Sequence, residues 1–516
     1  MEKIIILDFG SQTTQLIGRR VREIGVYTEI LPCDTRLTAD ILSDTRGIIL
    51  SGSPESVYDK DSPAPDPAVY KTGLPILGIC YGLQRTMYDN GGEVISHTKK
   101  EYGRARVMFE KSDPLLDGVS SGFTSWMSHG DAIHRLAPGF AIVAQTENNI
   151  PAVIRHTDKK IWGIQFHPEV THCEFGNNIL ENFSIKICGC GRSWNVDAYF
   201  KQIADEVKQK VGKENVLLLI SGGVDSTVVA ALLLEALDPD QVYLMYIDTG
   251  LMRKGESDEV EASLKKLGAK HLHHINAGER FLAALAGFSE PEEKRKIIAD
   301  MFIKVQETEV KQLAISHAYL AQGTLYTDLI ESGKGVGKKA HVIKSHHNVR
   351  GPLVEAKRKA GLIIEPLHSL YKDEVRLLGK KLRLPESMIK RHPFPGPGLG
   401  VRILGEITQE KVHILQEADY IYISELKSRG LYDQIWQAFS VLLPLRSVGV
   451  SGDMRRYGYI LSLRAVISHD GMTADVFPFP TQDLLEISSM ITNQVKDVGR
   501  VVYDISSKPP ATIEWE

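Results

Sequence analysis

Short, almost purely apolar runs punctuate the first 190 residues: KIIIL (3–7), GIIL (47–50), ILGI (76–79), RVMF (106–109), AIVAQ (141–145) and IWGIQF (161–166). Each is too short for a core helix and is separated from the next by helix-like sequence, so each reads as a buried strand. That alternation predicts an α/β layer structure with a largely parallel central sheet. The stretch CGCGRSWNVDAY (188–199) breaks the pattern. A second α/β series follows, with VLLLI (216–220), VYLMYI (242–247), HLHHI (271–275) and AISHA (314–318) as its strands. HPFPGPGLG (392–400) sets three prolines and three glycines in nine residues and predicts a rigid hinge or boundary. Beyond it an amphipathic helix (412–426) and strands such as YILSLRAV (459–466) predict an α+β unit. The expected domains are therefore 1–190, 191–391 and 392–516.

Composition changes this picture little. The 516 residues carry 61 Lys and Arg against 65 Asp and Glu, a net charge of −4 that gives no general attraction to nucleic acid or to a membrane. No apolar stretch reaches the roughly 20 residues that span a bilayer, and Asp8 interrupts the first apolar run, so the N-terminus does not read as a signal peptide. Five cysteines, at 33, 80, 173, 188 and 190, form no regular framework and suggest a reducing, cytoplasmic setting. His172, Cys173, Cys188 and Cys190 could be imagined around zinc, but C-x-C lacks the usual knuckle spacing, and buried unreactive thiols are the plainer reading. Locally, residues 331–391 are basic, with 15 Lys and Arg against 6 Asp and Glu. Such a run is either a solvated face or, given the flexible GKGVGKK (333–339), a lid that faces polyphosphate.

Chemistry enters with ILGICYGLQ (76–84). Cys80 falls at a strand-to-helix junction between Gly78 and Gly82, the small neighbours that a nucleophile elbow requires. The helix N-terminus favours thiolate. In QFHPEV (165–170), His167 and Glu169 stand two apart at a strand end, which would put the carboxylate beside the imidazole. Lowering a thiol pKa by two units gains about 25-fold in thiolate at pH 7, whereas one oxyanion donor is worth about 10²–10³. Backbone N–H groups must therefore supply most of the rate, and Tyr81 and Gly52 of SGSP (51–54) are the candidates. CYG with a later HPE resembles the class I glutamine amidotransferases. The resemblance implies a triad of Cys80, His167 and Glu169 that hydrolyses glutamine, with Gln84 at the glutamine site. The family's loop commonly reads SGGP, so Ser53 stands where a glycine is usual.

SGGVDST (221–227) links an apolar strand to a helix, the arrangement that cradles phosphate. The lysine of a Walker-type loop is missing, and Asp225 stands in its place. SGGVDS resembles the N-type ATP pyrophosphatases, which cleave ATP between the α and β phosphates. This implies a doubly wound domain in which Ser221, Gly222, Gly223, Asp225, Ser226 and Thr227 bind ATP. Asp225 would either place Mg²⁺ or order the loop.

HPFPGPGLGVR (392–402), RSVGVSGDMR (446–455), SSKPPATIEWE (506–516), DFGSQ (8–12) and IKSHHNV (343–349) together resemble the GMP synthetase family nearly end to end. The implied acceptor is xanthosine monophosphate (XMP), adenylylated by ATP at its 2-oxo group and aminated with nitrogen from glutamine. By the same resemblance Arg295, Lys508, Ile513 and Glu514 bind XMP. Asp328, Glu331, Lys344, His346 and His347 would belong to the lid, with Lys372 of YKDEVR as a further phosphate contact. The C-terminal unit would form a homodimer. Two competing readings are another glutamine-fed adenylylating ligase, such as an NAD synthetase, and a regulator built on a retired enzyme. A partnership with nucleic acid has no reader motif behind it.

Overall fold

The computed structural model describes residues 1–313, 318–326, 328, 352–451, 454–468 and 473–516. They form two compact units. One comprises Met1–Phe200 with Leu325, Tyr326, Asp328 and Ser369–Tyr371; the other comprises the described residues of Lys201–Thr324, of 352–368 and of Lys372–Glu516.

The first unit is built on a nine-stranded sheet: β1 (Lys3–Asp8), β2 (Tyr27–Pro32), β3 (Thr45–Leu50), β4 (Ile76–Ile79), β5 (Glu93–Met108), β6 (Phe123–Arg135), β7 (Phe140–Thr146), β8 (Pro151–His156) and β9 (Ile161–Ile164). Their order is β2-β1-β3-β4-β9-β8-β7-β5-β6. Continuous apolar runs arise because the central strands are covered on both faces. Ile4 and Ile6 of β1 join one buried cluster with Leu77 and Ile79, while Ile5 and Leu7 join another with Ile48 and Leu50. The largely parallel sheet expected from the sequence is half of what is found. β2 through β9 in that order pair in parallel, but β9-β8-β7-β5-β6 pair antiparallel. RVMF is only the end of β5, a long strand that pairs with β6 and whose polar, charged sequence hides it from a hydrophobicity reading.

In the second unit a parallel sheet has the order β12-β11-β10-β13-β14, from β10 (Val216–Ile220), β11 (Val242–Asp248), β12 (His271–Asn276), β13 (Tyr319–Ala321) and β14 (Ile363–Ile364). The predicted strand AISHA falls mostly on 314–317, outside the described residues, and β13 begins at Tyr319. The C-terminal sheet joins β15 (Gln437–Ser451), β16 (Met454–Ile467), β17 (Asp475–Val476) and β18 (Val498–Tyr503), backed by helices Gln409–Ser428 and Thr481–Gln494. One apolar cluster runs from Leu217 and Met245 through Leu399 to Leu461 and Ile491. The Pro-Gly stretch is packed into it: Gly398 takes φ +62° where a side chain would strike the Leu251 carbonyl, and Leu399 N donates to that carbonyl at 2.8 Å.

Candidate active sites

Cys80 ends β4 and begins the helix Tyr81–Asp89, with φ +52° and ψ −106°. A non-glycine residue holds this left-handed geometry only when its surroundings enforce it. They do. A Cβ on Gly82 would lie 2.2 Å from the Leu50 carbonyl oxygen, so only glycine lets the helix start this close to β3. Cys80 N donates to Ile164 O at 2.8 Å, which pins the turn to the end of β9.

His167 and Glu169 lie beyond that strand, in the turn that follows it and not on the strand end expected from the sequence. His167 Nδ1 is 2.7 Å from Glu169 Oε1, and Glu169 has no exposed surface. Their pairing comes from the turn, with His167 N donating to Trp126 O at 3.1 Å and Arg20 Nε to Glu169 O at 3.1 Å. Burial on its own would lower the imidazole pKa. Hydrogen bonds to Cys80 and Glu169, and their charges, outweigh it and raise His167 to about 11.

The sign of the pH dependence follows. A group whose pKa is raised by folding stabilises the fold fully below its unfolded value, near 6.5, and this stabilisation is lost as pH rises from there to about 11. Glu169→Gln should therefore lower stability most at pH 6, by about 3 kcal/mol, and progressively less toward pH 10. Urea midpoints of both proteins across that range check it.

Around the thiol, Gln165 Nε2 is 3.7 Å from Cys80 Sγ, and Gln84, almost fully buried, donates to Asp131 O at 2.9 Å. Gln165 was within a motif singled out in the sequence, but nothing local marked it as a neighbour of the thiol. Gly52 approaches the imidazole so closely that a Cβ there would sit 3.4 Å from His167 Cε1. Ser53 is not among the residues with positive φ, so serine fits this loop without strain.

The other four thiols are buried and unpaired. Burial pushes Cys33 and Cys190 up to about 11 and Cys173 up to about 12, and raises Cys188 as well. The described residues hold no group of three or more His, Cys, Asp or Glu able to bind a metal, which leaves the zinc reading without a site.

In the second unit, β10 leads through Ser221–Gly223 into the helix Val224–Ala236. Gly222 takes φ +78°, and Ser226 Oγ braces the turn, accepting from Ser221 N at 3.3 Å and donating to Gly223 O at 3.1 Å. Thr227 Oγ1 donates to Gly223 O at 2.9 Å. The first-turn N–H groups have no intrahelical acceptor and present positive partial charge to an anion. The cation absent from the loop arrives from elsewhere: Lys372 Nζ meets Asp225 Oδ1 and Oδ2 at 2.7 and 2.5 Å. Arg391 adds Nη1 bonds to Gly222 O at 3.0 Å and Glu256 at 2.9 Å. Both Asp225 oxygens are taken by Lys372, so Asp225 would reach Mg²⁺ carried on substrate phosphates, the usual manner for this ion, by exchanging that partner, which its partial exposure permits. Of the lid residues, Asp328 accepts from Leu325 N at 2.8 Å, while Glu331, Lys344, His346 and His347 lie outside the described residues.

The C-terminal tail returns to the helix Pro291–Gln312, where Arg295 Nη2 donates to the main-chain oxygen of Glu516. Glu514 spans Arg402, at 3.2 and 2.9 Å, and Gln437, at 2.7 Å. Ile513 is buried with Phe439, Val441 and Val466, and Lys508 bridges to Ala474. Arg402 closes the motif HPFPGPGLGVR without being marked there as a site residue, and Gln437 lies in no motif.

An elbow thiol with its His–Glu pair in one unit and a phosphate-type loop in the other define a glutamine amidotransferase joined to an ATP-using synthetase. Residues 5–187 match the family model for class I glutamine amidotransferase, residues 196–319 that for NAD synthase, and residues 424–515 that for the GMP synthase C-terminal domain. Over 519 residues the chain is 50% identical to a glutamine-hydrolysing GMP synthase of Thermosipho melanesiensis, covering 100% of both chains. Enzymes of the same description from Caldicellulosiruptor saccharolyticus and Aquifex aeolicus are each 48% identical and covered to 99%. The chain belongs to the glutamine-hydrolysing GMP synthase family.

Proposed function

We propose that the chain converts XMP to GMP, with ATP as adenylyl donor and glutamine as nitrogen source, forming AMP, pyrophosphate and glutamate. The observation that supports this reading is the 50% identity with a GMP synthase over 519 residues, together with the match of residues 424–515 to the GMP synthase C-terminal domain. The functional domains are 1–190, 191–391 and 392–516.

Cys80 Sγ attacks the glutamine carboxamide. His167, kept protonated by Glu169, gives its proton to the departing ammonia, and the N–H groups of Gly52 and Tyr81 face the oxyanion. Gln84 borders the glutamine. Water then attacks the thioester, with His167 accepting its proton, and glutamate leaves. In the synthetase, the XMP 2-oxygen attacks the α-phosphorus of ATP. The Ser221–Thr227 loop and Lys372 offset the charge of the departing pyrophosphate. Asp225 would hold Mg²⁺ together with ATP, and the ion would supply further charge neutralisation. Ammonia replaces AMP at the purine carbon. Arg295, Lys508, Ile513 and Glu514 hold XMP, and Asp328, Glu331, Lys344, His346 and His347 form the lid.

Homodimer formation is supported by the β15–β16 hairpin, which leaves Leu445, Val448, Val450, Met454 and Tyr457 more than half exposed. No described helix is long and apolar enough to cross a membrane. Free, buried thiols suit a cytoplasmic enzyme.

Incubated with ATP, Mg²⁺, XMP and ammonium, the protein should release AMP and pyrophosphate in equal amounts. ADP and phosphate as the products would refute this reading. Offering inosine monophosphate and nicotinate dinucleotide in parallel, with the amine product read by mass, tests the acceptor.

A further inference from the structure

The helix Pro291–Gln312 carries Lys294 with no exposed surface. An ammonium can be buried only if its donors and its charge are all met. Lys294 Nζ donates to the carbonyls of Ile403 at 2.9 Å and Gly405 at 3.3 Å. The opposing charge is the Glu516 carboxylate, itself nearly buried. One residue along, Arg295 takes the Glu516 main-chain oxygen, so consecutive cations of one helical turn grip the same residue. Further up the tail, Arg402 and Gln437 hold Glu514, and the fully buried Arg464 donates to the main-chain oxygens of Asp504, Ser506 and Thr512.

We propose that Lys294 is a positioning residue for the acceptor nucleotide: by pairing with Glu516 in the interior it fixes the register of the tail, and thereby the places at which Lys508, Ile513 and Glu514 meet the acceptor. This rests on the acceptor reading of the tail given above. Of the two cations that hold Glu516, Lys294 is the fully buried one, and among the described residues its ion-pair partner is Glu516. If the tail lifts, Lys294 keeps only two carbonyl partners and a stranded charge, whereas Arg295, about one-third exposed, can turn to solvent. Docking of Glu516 is thus coupled to the burial of a charge, and the tail is preorganised before any nucleotide arrives.

Lys294→Met preserves length and removes the charge. In ammonium-driven synthesis it should raise the apparent KM for XMP about 10-fold or more, with KM for ATP and kcat each changed less than about 3-fold. Glu516→Gln, which keeps an acceptor, should act in the same direction with about a 3-fold rise. The double variant should be no worse than Lys294→Met, because both changes remove one pair. Equal rises for both substrates, or additive effects in the double variant, would overturn the proposal. Should Lys294→Met fail to fold, Glu516→Gln and Glu516→Ala carry the test, and an unchanged KM for XMP in both overturns it.

Anchorage can also be read with no substrate present. Trp515, next to Glu516, donates Nε1 to Asp504 at 3.0 Å and is 37% exposed. Its emission, isolated by difference from W515F in each background, should shift red and quench more readily with acrylamide in Lys294→Met and Glu516→Ala. Unchanged emission overturns the anchor whatever the acceptor. A changed emission in a protein whose parent does not use XMP would keep the anchor and refute the acceptor reading.

Discussion

Replacing Cys80 with alanine should reduce glutamine-dependent synthesis by at least about 10⁴-fold, while synthesis from added ammonium stays within about 2-fold of the parent protein. The first half follows from the site: no other described thiol can substitute, since burial raises the pKa of Cys33, Cys173, Cys188 and Cys190 and holds them as neutral thiols. The second half follows from the fold. Alanine and cysteine face the same cost at φ +52°, so the elbow is strained equally before and after the change. Removing the sulfur takes away two long sulfur contacts, to Ser128 O at 3.8 Å and Gln165 Nε2 at 3.7 Å, and leaves the β4–β9 and β5–β6 ladders in place. Rates with both nitrogen sources, measured on the same preparation, check the outcome. Equal loss with glutamine and with ammonium would end the assignment of Cys80 to nitrogen supply alone.

Lys372→Met should slow synthesis by about 10²–10³-fold with either nitrogen source. Cleavage between the α and β phosphates leaves pyrophosphate, and the loop proposed to face it contains an aspartate and no cation. Lys372 is the ammonium that the structure brings there. Loss of activity through unfolding can be set aside on magnitude. The Lys372–Asp225 pair is 44% and 27% exposed, and such a pair is worth less than about 1 kcal/mol to the fold. Ammonium-driven turnover together with the thermal midpoint decides the matter. Full turnover in Lys372→Met would reduce the pair to a surface contact.

Much of both sites was legible along the chain because their shapes are local. ILGICYG reads as an elbow because a Cβ on Gly78 would lie 2.6 Å from the Gly82 carbonyl oxygen four residues on, a steric requirement between near neighbours in the chain. SGGVDST reads as a phosphate loop for a similar reason, with Gly222 at φ +78° and the serine pair closing the turn. What misled the sequence reading was also physical. β5 and β6 are polar strands, so only RVMF at the end of β5 stands out in the sequence, and the sheet is less parallel than the apolar runs predict. The His167–Glu169 pairing was legible, but its cause was assigned to strand alternation when a turn produces it.

The chain's order of residues thus determined the strands buried on both faces, the two tight turns that carry the thiol and the phosphate loop, and the family to which they point. Tertiary structure alone decided the partners. Asp225 meets an amine 147 positions away, Gln165 reaches a thiol 85 positions back, and Lys294 is neutralised by the residue at position 516. The reason is one of range: sterics between neighbours leave a mark in a short motif, whereas a charge buried on folding is matched by whichever distant side chain the packed core brings to it.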